Sequence, residues 1–245
     1  MKEVLETIPV WDGIRSDSEC FICDLMKRAE EDSLRYYLGP AVMVPEIRVQ
    51  INRTGFCGKH FLDLAAMNKA QPLSLVLDTY YEESKGLFRP LFEKVASSGS
   101  ARKAQKNFEK LEEAILEREK GCLVCEHMEK RLDRYCSTVA ALFGTDAEFR
   151  TALSNSKGFC THHTIQLVHY APSVIKGETL AEFIRLVSAL LERNLERVQK
   201  DVLWMSQKYK SENKDKSWNG CEDAHHRGTE KIVGVGRLID VNRKK

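Results

Sequence analysis

A pattern of cysteine and histidine that occurs twice constrains this chain more than any other feature. Residues 55–60 read GFCGKH and residues 158–163 read GFCTHH. A C-x2-C pair precedes each C-x2-H pair, with 33 residues between the pairs in the first copy and 34 in the second. The two copies are offset by 102 residues at the C-x2-C pair and by 103 at the C-x2-H pair. This regularity predicts an internal repeat.

The spacing within each pair is typical of metal ligands. Two residues on either side of a two-residue gap face one side of a tight turn or helix start, so both can reach the same ion. Two such pairs supply three thiolates and one imidazole, a common structural zinc set. We therefore predict two zinc ions per chain, held by eight ligands: Cys20, Cys23, Cys57, His60, Cys122, Cys125, Cys160 and His163.

Disulfides and redox dithiols are the alternatives for these cysteines. Disulfides are unfavourable in a reducing compartment, and they leave the paired histidines unexplained. A lone C-x2-C pair is compatible with a redox dithiol, but each pair here is accompanied by a matched C-x2-H pair. Thiolate-rich sites also accept iron, so an iron–sulfur protein stays open as an alternative to a zinc protein.

The order of the pairs raises the question of which pairs share an ion. Duplication favours sequential pairing, because each ancestral unit would have needed a complete site when it stood alone. Sequential pairing places the ligands at 20, 23, 57 and 60 on one ion and those at 122, 125, 160 and 163 on the other. Cross-bracing of the first pair with the third is the alternative. The two-residue gap after Cys160 selects His163 as the ligand and leaves the adjacent His162 outside the set.

Helical periodicity dominates the rest of the chain and predicts an all-α fold. Apolar residues recur at helical spacing, with the longest stripe over residues 179–209. Only residues 47–51, IRVQI, have β-like character, within a segment, 41–56, that we expect to be a loop. We expect duplicated helical units in which Cys3His zinc knuckles join loop ends to helix starts. The expected divisions are residues 1–100 and 101–212 for the two metal-binding units and 213–245 for a basic, partly flexible tail.

Charge and hydropathy exclude several classes of protein. Among the 245 residues the formal net charge is +2 and 42% are hydrophobic, which is ordinary for a protein with a substantial core. The apolar runs are much shorter than a bilayer-spanning segment, so no membrane association is expected. The first twenty residues have no basic stretch followed by an apolar one. A cytoplasmic location is therefore expected.

Four motifs resemble those of an uncharacterised bacterial family, a domain of unknown function with repeated C-x2-C and G-F-C-x2-H motifs. They are ECFIC at 19–23, GPAVMVPEIRVQINRTGFCGKHF at 39–61, GCLVC at 121–125 and GFCTHH at 158–163. The resemblance extends over most of residues 1–210. Where that family has Pro-Leu inside the first knuckle, this chain has Phe21 and Ile22, a difference that affects packing rather than ligation. The resemblance implies no established activity.

Several further residues are weaker candidates. His127, two residues after Cys125, is interpreted as an exposed helical residue, with a supporting or substitute ligand role as the alternative. Cys136 is expected to be a thiol in a helix core. Cys221, His225 and His226 form an incomplete ligand set without a matching partner pair. No nucleophile–base set or carboxylate pair stands out, so the sequence predicts no catalytic site.

Three functions fit these patterns. Closed four-ligand sites favour an interaction or scaffold protein, with an unidentified protein partner, in which zinc stabilises the fold. A thiol-redox or iron–sulfur protein is the first alternative. A nucleic-acid binder is the second, because residues 200–245 hold eleven Lys and Arg against seven Asp and Glu. The sequence identifies neither the partner nor the biological process.

Overall fold

The computed structural model describes residues 6–234, and this part of the chain is all-α, as predicted. It contains eleven α-helices and no strand. The helices are α1 (Thr7–Arg15), α2 (Phe21–Tyr37), α3 (Pro45–Thr54), α4 (Gly58–Ala66), α5 (Ala70–Ala96), α6 (Ala101–Glu119), α7 (Leu123–Thr145), α8 (Ala147–Asn155), α9 (Thr161–Tyr170), α10 (Gly177–Lys208) and α11 (Ala224–Ile232). None of these described helices is long and apolar enough to cross a membrane.

The segment that we expected to be a loop with β-like character contains a helix instead. Helix α3 begins at Pro45 and ends before Gly55. Proline suits the first helical position, because its fixed φ is helical and no amide hydrogen bond is needed there. Gly55 has a φ of 69°, which ends the helix in a conformation that favours glycine. The expectation of a loop with β-like character is therefore wrong, and helical spacing buries Ile51 on one face of α3.

The chain divides into two compact units whose boundaries differ from the expected ones. The first unit combines the residues up to Ala29 with those from Met128 onward, and the second unit is Glu30–His127. Both boundaries fall inside helices, α2 and α7. The expected boundary at residue 100 lies in the loop between α5 and α6, which both belong to the second unit. The units are not consecutive halves, because helices from the two ends of the chain pack together in the first unit.

The core of the first unit forms around α10. Helix α10 buries most of its predicted apolar stripe, at Phe183, Val187, Leu190 and Val198. The ring of Phe143 on α7 contacts that of Phe183 with centroids 5.2 Å apart. Helices α9 and α11 also pack on α10. These contacts hold α9, which begins directly after Cys160.

The second unit is built on α3, α4 and the antiparallel hairpin of α5 and α6. An aromatic series runs through it, with successive ring centroids 5.1, 5.4 and 5.3 Å apart: Tyr37, Phe56, Phe61 and Tyr80. The Arg118 guanidinium of α6 lies 4.3 Å over the Tyr80 ring. It also donates to the carbonyl of Asn52 at 2.8 Å, so α3, α5 and α6 are joined at one point.

The segment expected to be a basic, partly flexible tail, residues 213–245, contains a helix. Residues 224–232 form α11, which packs on α10. The Lys231 ammonium is fully buried and donates to the carbonyls of Glu19 and Lys157 at 2.6 and 2.8 Å. Lys208 is buried as well. Lys231 within this segment and Lys208 at the end of α10 thus serve internal contacts, and residues 235–245 lie outside the described range.

Candidate metal centres

The eight predicted ligands come together as two clusters, each with three cysteines and one histidine. The first cluster is Cys20, Cys23, Cys160 and His163, and the second cluster is Cys57, His60, Cys122 and Cys125. Within each cluster the candidate ligand atoms lie within 4.8 Å of one another. The first cluster belongs entirely to the first compact unit and the second cluster to the second.

In the first cluster the imidazole faces all three thiols. His163 Nδ1 lies 3.3 Å from the Sγ atoms of both Cys20 and Cys23. The same nitrogen lies 3.4 Å from Cys160 Sγ. The Sγ atoms of Cys23 and Cys160 are 3.8 Å apart. All four side chains are buried, so the first cluster is enclosed by protein.

The second cluster has nearly the same geometry. His60 Nδ1 lies 3.1 Å from Cys122 Sγ and 3.3 Å from Cys57 Sγ. Its distance to Cys125 Sγ is 3.4 Å, and the Sγ atoms of Cys57 and Cys125 are 3.9 Å apart. Cys57 and Cys125 are partly exposed. The second cluster is therefore the more accessible of the two to solvent.

These distances fit a tetrahedral zinc ion. Zn–S bonds of about 2.3 Å and Zn–N bonds of about 2.0 Å place tetrahedral sulfur ligands about 3.8 Å apart and sulfur about 3.5 Å from nitrogen. The sulfur–sulfur separations of 3.8 and 3.9 Å match this geometry, and the sulfur–nitrogen separations are slightly shorter. Both clusters supply four ligands, so an ion bound in either would have no open coordination position.

The sequential pairing expected from the repeat is wrong. The first C-x2-C pair meets the second C-x2-H pair, and the second C-x2-C pair meets the first C-x2-H pair. The cross-braced alternative, in which the first pair meets the third, does not occur either.

Both C-x2-H pairs open a short helix in the same backbone conformation. Cys57 is the N-cap of α4 with φ −69° and ψ 164°, and Cys160 is the N-cap of α9 with φ −70° and ψ 165°. The glycine two residues before each cysteine has a φ of 69° at Gly55 and 71° at Gly158, where only glycine is unstrained. The histidine follows in the first helical turn, which returns its Nδ1 toward the cysteine sulfur.

Both C-x2-C pairs lie at the start of a longer helix. Cys23 is in the first turn of α2 and Cys125 in the first turn of α7. The amide of Cys23 donates to the Cys20 carbonyl at 2.9 Å, and the amide of Cys125 donates to Cys122 Sγ at 3.5 Å. Helix starts favour negative charge, and the thiolate is the form of cysteine that binds metal.

The thiols of each cluster compete for ionisation. Hydrogen bonds from Cys20 and Cys23 lower the pKa of Cys160 to about 3. A hydrogen bond from Cys125 outweighs burial and lowers the pKa of Cys122 to about 3. Burial raises the pKa of Cys20, and the bond to Cys122 raises that of Cys125. Thiolates this close repel one another unless a cation compensates their charge, and a divalent ion would supply that compensation.

A carboxylate orients the histidine of the second cluster. His60 Nε2 lies 2.9 Å from Glu30 Oε1, and a neutral imidazole that donates to this carboxylate has its Nδ1 lone pair toward the thiols. Lys59 Nζ donates hydrogen bonds to Glu30 Oε1 at 2.7 Å and to Asp63 Oδ2 at 2.6 Å. Burial raises the pKa of Glu30, but hydrogen bonds from His60 and Lys59 bring it below its ordinary value. Metal-binding histidines commonly have such a partner on the second ring nitrogen.

The end of α11 covers the first cluster. A Cβ added at Gly234 would lie 3.1 Å from Cys160 Sγ and 3.4 Å from Cys23 Sγ. The Thr161 hydroxyl donates to the carbonyl of Ile232. Lys231 also forms an ion pair with Glu19 at 3.0 Å. Helix α11 is thus tied to the segments before α2 and α9, which accounts for the complete burial of the first cluster.

The weaker candidates stay outside both clusters. His127 and His162 belong to neither cluster, although each makes other contacts. Cys136 is fully buried in α7, as expected of a core thiol. The rings at 225–226 lie 3.9 Å apart, and Cys221 donates to a backbone carbonyl. Within residues 6–234 the Cys221 segment therefore gathers no further metal-ligand set.

Glu30 and Gly234 contact the clusters although the sequence did not indicate them. Glu30 is thirty residues from His60 and lies in a charged helical segment, where a glutamate carries no motif. Gly234 approaches the first cluster only through the packing of α11. Both depend on tertiary contacts, so no local signal could have identified them.

The chain as a whole matches one described protein family. The model of a family of unknown function, DUF6062, matches residues 1–237. The protein therefore belongs to this family, which agrees with the resemblance of its motifs. No curated protein and no solved structure matches the chain. The description of the family names no activity.

Proposed function

We propose that this DUF6062 protein binds two Zn²⁺ ions, one in each cluster, and that the ions stabilise its fold. The observation that carries the proposal is the presence of two preformed tetrahedra of three sulfur atoms and one nitrogen. Structural zinc sites use closed sets of this kind. An ion that ties distant segments together contributes its binding free energy to folding. Here 136 residues separate Cys23 from Cys160, and 61 separate His60 from Cys122.

The ligand chemistry favours zinc over iron. A tetrahedron of thiolates and imidazole suits Zn²⁺. Most iron–sulfur clusters are instead held by four thiolates and contain inorganic sulfide between the irons. Sulfur atoms 3.8 and 3.9 Å apart are close enough to share one ion. We therefore infer mononuclear zinc in both clusters.

The complete four-ligand sets support a structural role over a catalytic one. A catalytic zinc keeps one position for water or substrate, whereas each cluster here already supplies four ligands. The open groove lined by α5 and α6 contains none of the eight ligands. We propose an interaction or scaffold protein, located in the cytoplasm, in which metal binding maintains the surface that partners contact.

An origin by internal duplication is part of the proposal. The N-cap angles of Cys57 and Cys160 differ by 1°, and the φ angles of Gly55 and Gly158 differ by 2°. Exchange of pairs between the copies is what fusion of two identical, two-fold related chains would produce. The ancestral unit would then have completed its two sites as a dimer.

Metal analysis of protein made without added metal tests the identity and number of ions. We expect two zinc ions per chain and a colourless solution. Replacement by Co²⁺ should produce the intense visible absorption of tetrahedral thiolate coordination at both sites. Iron with inorganic sulfide would establish the iron–sulfur alternative, and one ion or none in folded protein would refute the proposed pair of sites.

A thermal melt followed by circular dichroism tests the structural role. Removal of both ions with a strong chelator should lower the melting temperature, because the clusters join segments that helix packing alone must otherwise hold. Much of the helical signal should persist at low temperature, since both units also have apolar cores. Equal melting temperatures for loaded and verified metal-free protein would show that the ions are not structural.

A further inference from the structure

The hairpin of α5 and α6 buries much less of its surface than its length would lead one to expect. Helix α5 has 27 residues and α6 has 19, yet their buried residues are Val76 and Leu111. Helix α10, with 32 residues, buries six. Long helices normally bury a continuous face against neighbours. The outer face of this hairpin, which carries Tyr81, Phe88, Phe92 and Ile115, therefore has no such neighbour within the described chain.

The outer face carries an aromatic stripe. Tyr81, Phe88 and Phe92 lie at helical spacing on α5 and, with Ile115 of α6, line an open groove of about 990 Å³. Tyr81 is 62% exposed and Phe92 is 53% exposed. Contiguous exposed aromatic side chains are typical of interaction surfaces. An apolar partner surface would bury these aromatic side chains and remove them from water.

The charges of both helices are distributed unevenly along the hairpin. Residues 101–110 of α6 have a net charge of +3 and residues 111–119 have −3, whereas residues 70–83 of α5 have −3 and residues 84–96 have +2. Because the helices are antiparallel, the basic segments of both lie next to their connecting loop and the acidic segments lie far from it. In α6 this order opposes the helix dipole. The pattern is therefore unfavourable for an isolated hairpin.

We propose that the outer face of the hairpin binds the same face of a second copy of this chain, in an antiparallel two-fold arrangement. Two hairpins packed in this way form a four-helix bundle with the aromatic stripe inside. The two-fold relation places the basic end of each hairpin against the acidic end of the other. Opposite charges then meet at both ends of the four-helix bundle.

Charge complementarity selects this occupant over other partners. A nucleic acid would be attracted to residues 101–110 and repelled by residues 111–119, and it would leave the aromatic stripe exposed. A parallel arrangement of two copies would place like charges together. Lys103, Lys106, Glu112 and Glu113 are exposed, and among residues 6–234 they have no ion-pair partner within 4.0 Å. Their charges are therefore not already neutralised by an ion pair within the described chain.

The mass of the zinc-loaded full-length protein in solution is the first test. Sedimentation over a concentration series should give a species of twice the 28.0 kDa chain mass. High salt should weaken the association, because the Debye length shortens from about 10 Å at 0.1 M to about 3 Å at 1 M. A wild-type protein that stays monomeric throughout the series overturns the proposal, whatever other partner the surface binds.

Charge reversal tests the orientation. Lys103→Glu with Lys106→Glu makes the whole of α6 acidic, and Glu112→Lys with Glu113→Lys makes it basic. Each double variant should raise the dimer Kd by more than about tenfold, because like charges then meet. The quadruple variant should restore the dimer, and an equimolar mixture of the two double variants should form a heterodimer. The heterodimer tests whether the α6 charges meet across the interface, and the quadruple variant tests the orientation. Failure of the quadruple variant to dimerise in folded, zinc-loaded protein overturns the antiparallel arrangement.

A matched pair of apolar variants tests the stripe. Tyr81→Ser with Phe92→Ser should abolish the dimer and leave the zinc content and helix content of the monomer unchanged. Leu203→Ser, at a 54% exposed position on α10, removes a comparable exposed side chain away from the hairpin and should leave the dimer intact. Equal dimer Kd values for the two variants would show that the stripe is not the interface.

Discussion

Double ligand variants distinguish the observed pairing from sequential pairing by the number of ions that remain. Replacing one ligand should empty its own cluster, so Cys20→Ser should leave one ion of the two. Cys20→Ser with Cys160→Ser should also leave one, because both residues belong to the first cluster. Cys20→Ser with Cys57→Ser should leave none, because it damages both clusters. Sequential pairing requires the opposite result: no ion for the first double variant and one for the second.

The free energy that favours sequential pairing over the observed pairing is small. Loop closure favours sequential pairing by only about 2 kcal/mol, given intervals of 33 and 34 residues instead of 136 and 61. Either pairing would gain the binding free energy of structural zinc, on the order of 10 kcal/mol per site in small zinc modules, so the loop-closure preference is small enough for helix packing to override. Zinc per chain is measured by elemental analysis after gel filtration, with circular dichroism as the control for folding. One ion in the Cys20 and Cys57 double variant would refute the pairing.

Two further predictions concern the histidines. His163→Ala should lose the ion of the first cluster or much of its affinity, whereas His162→Ala should retain both ions, because His163 Nδ1 alone faces the three thiols; the reverse result in zinc analysis would mean that the wrong histidine has been assigned. Glu30→Gln should lower zinc affinity at the second cluster by about 10- to 100-fold, the usual effect of losing a carboxylate on a ligand histidine. Chelator competition measures this, with the exposed neighbour substitution Glu31→Gln as the control, and equal affinities for the two variants would contradict the role assigned to Glu30.

Local chemistry made much of the site predictable. The eight residues of the two clusters could be named because each pair lies within one turn, where a two-residue gap is enough to align two side chains. The choice of His163 over His162 followed from the same gap. Helices were predictable wherever apolar residues recur at a single face, as in α10. The segment 41–56 was expected to be a loop, with β-like character at 47–51 because of its β-branched residues. Pro45 and Gly55, which set the ends of α3, had the greater effect.

The partners of each pair depended on long-range packing. The sequence spacing of the pairs does not predict that Cys23 contacts Cys160. That contact depends on how α2 and α9 pack within the first unit. The carboxylate of Glu30 and the approach of Gly234 to the thiols have the same origin. The two members of each pair lie within one helical turn, so the local sequence is enough to identify them. A complete tetrahedron is a property of two distant turns, and their meeting is set by the burial of apolar faces across the whole unit.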